Sequence, residues 1–438
     1  MRKFFIIFAL ISFSVSTFSQ KEKTTKSKKW DVNNPHKDWS YKTFNLNTDE
    51  GTWMNLDISP DGKTVVFDML GDIYTMPVTG GKAKALRTGL AFEVQPRYSP
   101  DGTYISFTSD AGGGNNIWVM TADGQNAKAI TKEKYRLLNN AVWTPDGKSL
   151  VARKHYTSER SVGAGEMWQY PLVGSAGLQI TKRKNDQQDV NDPSISPDGR
   201  YLYYAEDMYP GGFFQYNKDP NSQIYVIKQY DFTTGKTKTI TGGPGGAARP
   251  IISRDGKNLA FVKRIREQTV LYIHNLATGE EKPIYFDLDK DQQEAWAVFG
   301  VYPYFSWMPN NRDLVFWTAG KIHSINIDSK VIKNIPFEID TSIKLTETQQ
   351  RLSLLADKAK SDYQLSIENY TTAKKNVGLA ERIEKKQRIK FFEGISSSFD
   401  LLQAQNQLYA QQQNYIQSML NVISKKATLE NALNLPIK

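Results

Sequence analysis

The sequence predicts an all-β, six-repeat β-propeller followed by an α-helical coiled-coil hairpin. Two observations carry the first half and one carries the second. The stretch Asp57-Ile58-Ser59-Pro60-Asp61-Gly62-Lys63-Thr64-Val65-Val66-Phe67 reads as strand, tight turn, strand. Asp-Gly suits the turn because Gly accepts a positive φ without steric cost, and Val65, Val66 and Phe67 are strong strand formers. The pattern then returns. Ser99-Pro100-Asp101-Gly102, Thr144-Pro145-Asp146-Gly147, Ser196-Pro197-Asp198-Gly199 and Ser253-Arg254-Asp255-Gly256 each precede an apolar run, and Met308-Pro309-Asn310-Asn311 is a weaker sixth copy. Short strands recurring at about one blade length are the signature of a propeller. After Asp340 the character changes: residues 341–438 hold no Trp, two Gly and one Pro, and are rich in helix-forming Ala, Leu, Gln and Lys.

Within each repeat, the third and fourth strands follow the turn in order. In the first blade they are Asp72 to Met76 and Ala83 to Leu86; in the second, Asn116 to Met120 and Ala129 to Thr131. The third blade has Glu166 to Tyr170 and Gln179 to Thr181. The fourth has Gln223 to Val226 and Lys238 to Thr241, the fifth Val270 to Ile273 and Lys282 to Ile284, and the sixth Lys321 to Ile325 and Val331 to Lys333. Trp39 to Leu46 is read as a latch strand on another blade.

The tail shows helical spacing. Leu352, Ala356, Ala359, Tyr363, Ile367, Tyr370, Ala373, Val377 and Ala380 step by three or four. Gly394 breaks the run, and Ser397 with Asp400 has the form of a capping box. Beyond it, Leu401, Leu408, Tyr415, Val422 and Leu429 recur every seven residues, as do Leu402, Tyr409, Ile416 and Ile423. Two adjacent apolar rows at a heptad period predict a coiled coil.

Composition narrows the function classes. The chain has 438 residues, room for two or three domains. It has no cysteine, which excludes disulfides and thiolate metal sites, and its four histidines lie far apart. The net charge of +10 is spread along the chain with no basic, aromatic-interleaved motif, so nucleic acid is not expected as a partner. Arg2-Lys3, the apolar run Phe4 to Val15 and the small residues near Ser19 form a signal peptide. The expected division is signal peptide 1–19, flexible lead-in 20–38, propeller 39–340 and hairpin 341–438. The expected location is the periplasm, with outer-membrane association as the alternative. No cysteine follows the signal, so no lipid anchor is expected.

The Ser-Pro-Asp-Gly turns, strand order and signal peptide together resemble the TolB-like, WD-type propellers of exported bacterial proteins. They most resemble the propeller that precedes the catalytic barrel of large exported amidohydrolase-family proteins. The resemblance covers about residues 40–340 and implies a scaffold, because the metal-dependent barrel has no counterpart in this sequence. The run Ile389-Lys390-Phe391-Phe392-Glu393-Gly394-Ile395-Ser396-Ser397-Ser398-Phe399-Asp400-Leu401-Leu402-Gln403-Ala404-Gln405 is similar to the carboxy-terminal hairpin of TolC-family outer-membrane efflux proteins. That resemblance implies a hairpin tip, Gly394, Ile395, Ser396, Ser397 and Ser398, that meets an adaptor protein, and a trimer of TolC-like helices.

Candidate sites follow. The Asp-Gly turns are read as turn formers. The opposite face carries the longest loops in blades two to four, and Asp207 to Asn221 brings Tyr209, Phe213, Phe214 and Tyr216 there as candidate contacts for a peptide or protein partner. Thr241 to Gly246 is glycine-rich but lacks the Lys-Ser/Thr ending of a phosphate loop, and no Gly-x-Ser-x-Gly elbow occurs. No catalytic residue, cofactor or metal site is expected. The leading expectation is a non-enzymatic periplasmic interaction scaffold. The alternatives are an outer-membrane efflux component and the non-catalytic propeller fragment of an amidohydrolase-family protein, and the sequence leaves open whether the two halves form one working fusion.

Overall fold

The computed structural model describes residue 32 and residues 40–432, except 135–136, 158–162, 175, 186–187, 209–218, 220–221, 296 and 348. The signal peptide and most of the lead-in lie outside the described residues.

Each turn motif folds by satisfying its own polar atoms. In Ser99 to Tyr104, the Ser99 hydroxyl donates to Asp101 Oδ1 at 2.6 Å and accepts the Tyr104 N–H at 2.9 Å. Asp101 Oδ1 also accepts the Thr103 N–H, and Gly102 takes a φ of +75°. The other four full copies repeat the Ser/Thr-to-Asp bond. The sixth copy has Met308 at the serine position, and Asn310 Oδ1 accepts the Arg312 N–H instead. Asn311 supplies the left-handed residue, with φ at +56°. Asparagine tolerates that conformation better than most residues, so the turn survives without Asp-Gly.

These turns join the first two strands of six four-stranded antiparallel sheets. Blade 1 comprises Leu56–Ile58, Thr64–Met69, Asp72–Pro77 and Lys84–Arg87. Blade 2 comprises Glu93–Tyr98, Tyr104–Ser109, Asn116–Thr121 and Lys128–Ala129. Blade 3 comprises Leu137–Trp143, Ser149–Thr157, Gly163–Pro171 and Leu178–Gln179. Blade 4 comprises Val190–Ile195, Tyr201–Asp207, Tyr225–Asp231 and Thr237–Thr241. Blade 5 comprises Ala248–Ile252, Asn258–Ile265, Gln268–Asn275 and Glu281–Leu288. Blade 6 comprises Ser306–Trp307, Asp313–Thr318, Lys321–Asn326 and Ile332–Ile335. Apolar clusters fill the spaces between neighbouring blades, and one runs across blades 5, 6 and 1.

The ring closes between blade 6 and blade 1. Asn55 Oδ1 accepts the Tyr304 N–H at 3.0 Å, the Leu56 N–H donates to the Tyr304 carbonyl at 3.2 Å, and the Ser306 hydroxyl donates to Asp57 Oδ1 at 2.7 Å. Among the described residues, no strand is shared between the two blades. The latch strand forms, but with a partner the sequence did not name. Ser40–Thr48 pairs along its length with Phe337–Glu347, and the latter pairs in parallel with Gly81–Lys82 at the edge of blade 1. Phe337 packs on Phe67 with ring centroids 5.7 Å apart. The strand continues to Glu347, past the composition break at 340, because this long pairing holds it extended.

Helix α1 (Gln349–Phe392) and helix α2 (Ser398–Ala432) form an antiparallel hairpin. Tyr370 and Tyr415 stack at 5.3 Å, with hydroxyls 3.0 Å apart, and Lys425 pairs with Asp362 at 3.0 Å. The seam buries small side chains: Ala359, Ser366, Ala380, Ala404 and Ser418. At the tip, Gly394 adopts φ +73° as α1 ends. Ser397 and Asp400 then cap α2 reciprocally: the Asp400 N–H donates to Ser397 Oγ at 3.2 Å, and the Ser397 N–H to Asp400 Oδ2 at 3.1 Å. Among the described residues, no helix is long and apolar enough to cross a membrane.

The turn chemistry yields a prediction. Ser99 is buried, so Ser99→Ala removes two hydrogen bonds and should cost about 1–2 kcal/mol of unfolding free energy. The Ser99 bond holds Asp101 below the usual carboxylate range. A depressed pKa gives stability that is present above the unfolded value and lost as pH falls through the folded one. The difference between wild type and variant should therefore be full at neutral pH and shrink below about pH 4. Urea titrations at both pH values check this.

Candidate functional site: the central funnel

The innermost strands of blades 2 to 5 each carry a bulge. At each bulge one residue turns left-handed: Gln95 (φ 60°), Asn140 (57°), Asp192 (57°) and Arg249 (54°). A bulge re-aims its side chain, and here all four turn towards their neighbours in a circuit. Gln95 Oε1 accepts the Asn140 N–H at 2.8 Å, and Asn140 Nδ2 donates to Asp192 Oδ1 at 2.9 Å. Asp192 Oδ2 accepts the Arg249 N–H at 3.1 Å, and Arg249 Nη1 donates back to Asn140 Oδ1 at 3.1 Å. Asp68 extends the circuit to blade 1, accepting N–H groups from Gln95 and Asn55 and the Asn55 amide. Burial pushes the Asp68 carboxyl up to about 6, against the pull of those donors.

The same side chains hold a plug. The segment between blade 5 and blade 6 lays its carbonyls on the circuit. Asn191 donates to Ala297 O at 3.1 Å, Asn139 to Val298 O at 2.7 Å, Gln95 to Phe299 O at 2.8 Å, and Arg249 Nε to Tyr302 O at 2.8 Å. Gly300 permits this approach. Its φ is +103°, and a Cβ there would lie 1.8 Å from Arg249 Nη2. Arg153, buried and clamped two-pronged on Asp189 at 2.8 and 2.9 Å, also reaches Val298 O.

Towards the turns the channel widens into a cavity of about 440 Å³ lined by all six blades. Its mouth is framed by Pro60, Pro100, Pro145, Pro197 and Arg254 of the turn motifs. The walls include Val142, Trp143, Ile195, Ile251, Ile252 and Trp307. Two indoles tie neighbouring inner strands together: Trp143 donates to Arg97 O at 3.1 Å and Trp307 to Ile251 O at 3.0 Å. Two residues before their turns, level with Val142 and Ile251, Asp57, Arg97, Ser194 and Ser306 also reach the cavity. The arrangement can hold a narrow ligand end-on that carries both apolar and polar groups. Its volume lies within the range of about 300–1,000 Å³ typical of ligand sites. Among the described residues, no group of His, Asp or Glu is placed to hold a metal ion.

The residues expected from sequence are not among those that line the funnel. Tyr209, Phe213, Phe214 and Tyr216 fall outside the described residues. Gly394, Ile395, Ser396, Ser397 and Ser398 sit at the hairpin tip, with Ile395 exposed. The funnel opens on the face of the Asp-Gly turns, which the sequence reading assigned only a structural role. The missed signal is positional. Counting back four residues from the Ser/Thr or Met of each turn reaches Asn55, Gln95, Asn140, Asp192, Arg249 and Tyr304. Each is a residue with a polar group, in or just before a strand otherwise built for a core.

Residues 53–208 match the Tricorn protease N-terminal beta propeller domain. A protein of Sulfurisphaera tokodaii bearing the name Tricorn-like protease C-terminal subunit is 27% identical over 167 residues, 38% of this chain and 18% of that protein. A dipeptidyl-peptidase 5 of Porphyromonas endodontalis is 25% identical over 258 residues, 48% of this chain and 36% of the peptidase. The chain thus spans little more than a third of these relatives at most. Among solved structures, TolB from Acinetobacter baumannii aligns at a TM-score of 0.49 with 19% identity, covering 66% of this chain and 64% of TolB. The tricorn protease aligns at 0.45 with 12% identity, covering 84% of this chain and 42% of that one.

Arg249 joins the circuit to the plug, which gives a second prediction. Its ion pair with Asp192 is 3.0 Å long and both side chains are fully buried. Arg249→Met leaves Asp192 as an uncompensated buried charge and should cost about 3–5 kcal/mol. It should also release the plug, so that limited proteolysis cuts within 292–301 before the blades. Denaturant unfolding and peptide mapping read the two effects.

Proposed function

We propose that this chain is an exported interaction scaffold whose propeller takes a peptide or protein segment into the central funnel. The observation that carries this is the funnel itself: a cavity lined by all six blades and closed at its base by a plug. A blind cavity of this size, with apolar and polar walls in near-equal parts, takes a chain end or a side-chain cluster rather than a folded surface. The propeller match and the peptidase names of the relatives favour a peptide as occupant. The amino-terminal pattern at Arg2 to Ser19 supports export, and the periplasm is the location this reading assigns. The scaffold itself performs no chemistry in this reading; any cleavage belongs to a partner.

A photo-crosslinking residue at Pro145, on the funnel mouth, tests the reading in the native host. A control at Val173 samples the outer rim, where the side chain is 95% exposed. The expected result is a defined cross-linked peptide or envelope protein from Pro145 and none from Val173. Equal capture at both positions, or none at either, counts against the funnel as the binding site.

A second reading concerns the hairpin, and a separate observation favours it. Leu402, Tyr409, Ile416 and Ile423 form an exposed apolar row along α2, 54–64% exposed, while the neighbouring row faces α1. We infer that the hairpin assembles with further helices in the manner of TolC-type efflux proteins, with tip residues Gly394 to Ser398 meeting an adaptor. Sedimentation of the full chain should then give a trimer, and Ile416→Glu should return it to a monomer. A wild-type monomer at micromolar concentration would sink this reading and leave the funnel reading untouched.

A further inference from the structure

Arg97 is a buried cation that the central circuit leaves without a counter-ion in contact. Its side chain is 3% exposed. Nη1 donates to the Pro96 carbonyl at 2.6 Å and reaches the Leu56 carbonyl at 3.4 Å. Among the described residues, Nε and Nη2 have no hydrogen-bond acceptor. Those two N–H groups share one edge of the planar guanidinium, an edge shaped to grip a carboxylate with two parallel bonds. Three other arginines of this propeller use that edge in this way. Arg87 grips Glu93, Arg153 grips Asp189 and Arg264 grips Asp291, each through Nε and Nη2. In Arg97 the edge is vacant.

The nearby carboxylates are engaged elsewhere. Asp57 accepts from the Ser306 hydroxyl and from the Ile58 and Tyr98 N–H groups. Asp68 is taken by Asn55 and Gln95. Arg249 is matched by Asp192, and the Arg254 guanidinium at the mouth donates to the carbonyls of Ile58, Ser59 and Pro60. Burial draws the Arg97 pKa down to about 10, which still leaves it charged at neutral pH. The Tyr304 ring lies over the guanidinium, 3.1 Å from its central carbon to the ring centroid. Both residues line the cavity; Val142 and Ile251 stand level with Arg97 on their own strands, and Ile195 and Trp307 lie one residue nearer the turns.

We propose that the funnel is a receptor for an apolar carboxylate, the C-terminal residue of a peptide, with Arg97 gripping the carboxylate through Nε and Nη2. The Tyr304 ring stays on the face of the guanidinium, and the terminal side chain packs among the isoleucines and indoles that line the cavity beside and above Arg97. A buried guanidinium with three of its five donors unmet is costly, and an entering carboxylate relieves that cost at the place where it binds. This proposal rests on the funnel reading above and names what the funnel selects. A short free acid shares the chemistry, so the test separates the two sources.

The test is calorimetric titration of the full chain with three probes: N-acetyl-Ala-Ala-Leu with a free carboxylate, the same peptide as its amide, and 4-methylpentanoate. The free peptide should bind about 10–100-fold more tightly than the amide, the worth of hydrogen bonds to a charged group. Arg97→Gln should abolish that preference, and Arg97→Lys should restore only part of it, because an ammonium keeps the charge without the fork. If near-ultraviolet circular dichroism shows Arg97→Gln unfolded, the acid-to-amide ratio of the wild-type protein decides alone. Tight binding of 4-methylpentanoate without the peptide supports the Arg97 anchor and overturns the peptide as its source. Equal binding of peptide acid and amide overturns the anchor while the funnel reading stands. Binding of none of the three overturns the inference, and cross-linking from Pro145 then judges the funnel by itself.

Discussion

The hydrogen-bonded circuit through Gln95, Asn140, Asp192 and Arg249 is the constraint on which the rest of the propeller depends. It forces a left-handed residue into each of four inner strands, a conformation that costs a non-glycine side chain free energy and persists only where the surroundings fix it. It buries Arg249, Asp192 and Asp68 near one axis, which is tolerable because these charged groups are matched by hydrogen bonds within it. And it fixes where the plug lies, since four plug carbonyls receive donors from residues at or beside the bulges. The cavity exists because the channel is stopped at this level and open above it.

What the sequence made legible follows from what is local. A Ser-Pro-Asp-Gly turn satisfies itself within six residues, so five copies announce five hairpins, and the asparagines of the sixth still fold. The heptad rows of α2 were equally readable, because helix periodicity is local. The plug was not, since residues 291–304 repeat nothing and their partners come from several blades far away in sequence. The circuit had a signal, the polar residue four places before each turn, but it shows only when the repeats are aligned on the turn. The latch strand was visible as a strand; its partner, some 300 residues later, was not.

The hairpin poses a different physical problem. Its most buried side chains are alanines, serines and Glu384, which let the two helices approach closely but bury little apolar area. Most helical stability in proteins comes from packing an apolar face, and here many of the large apolar side chains of α2, from Phe399 to Ile423, point outward. The tyrosine pair Tyr370–Tyr415 and the ion pair Lys425–Asp362 set the register without supplying that missing burial. The propeller has the opposite balance, with its large side chains enclosed between blades.

The two-stranded ribbon between Ser40–Thr48 and Phe337–Glu347 has a mechanical consequence. Ser40 lies opposite Glu347, so the chain enters and leaves the propeller at the same end of one antiparallel pair. Tension applied between the leading segment and α1 would load that pair one rung at a time, as a zipper opens, not all rungs together in shear. Peeling of this kind yields at low force, and it spends extension before any load reaches the blades. The ribbon therefore behaves as a mechanical fuse: the ring can stay intact while the tail is pulled several nanometres away from it, at roughly 3.3 Å per residue released.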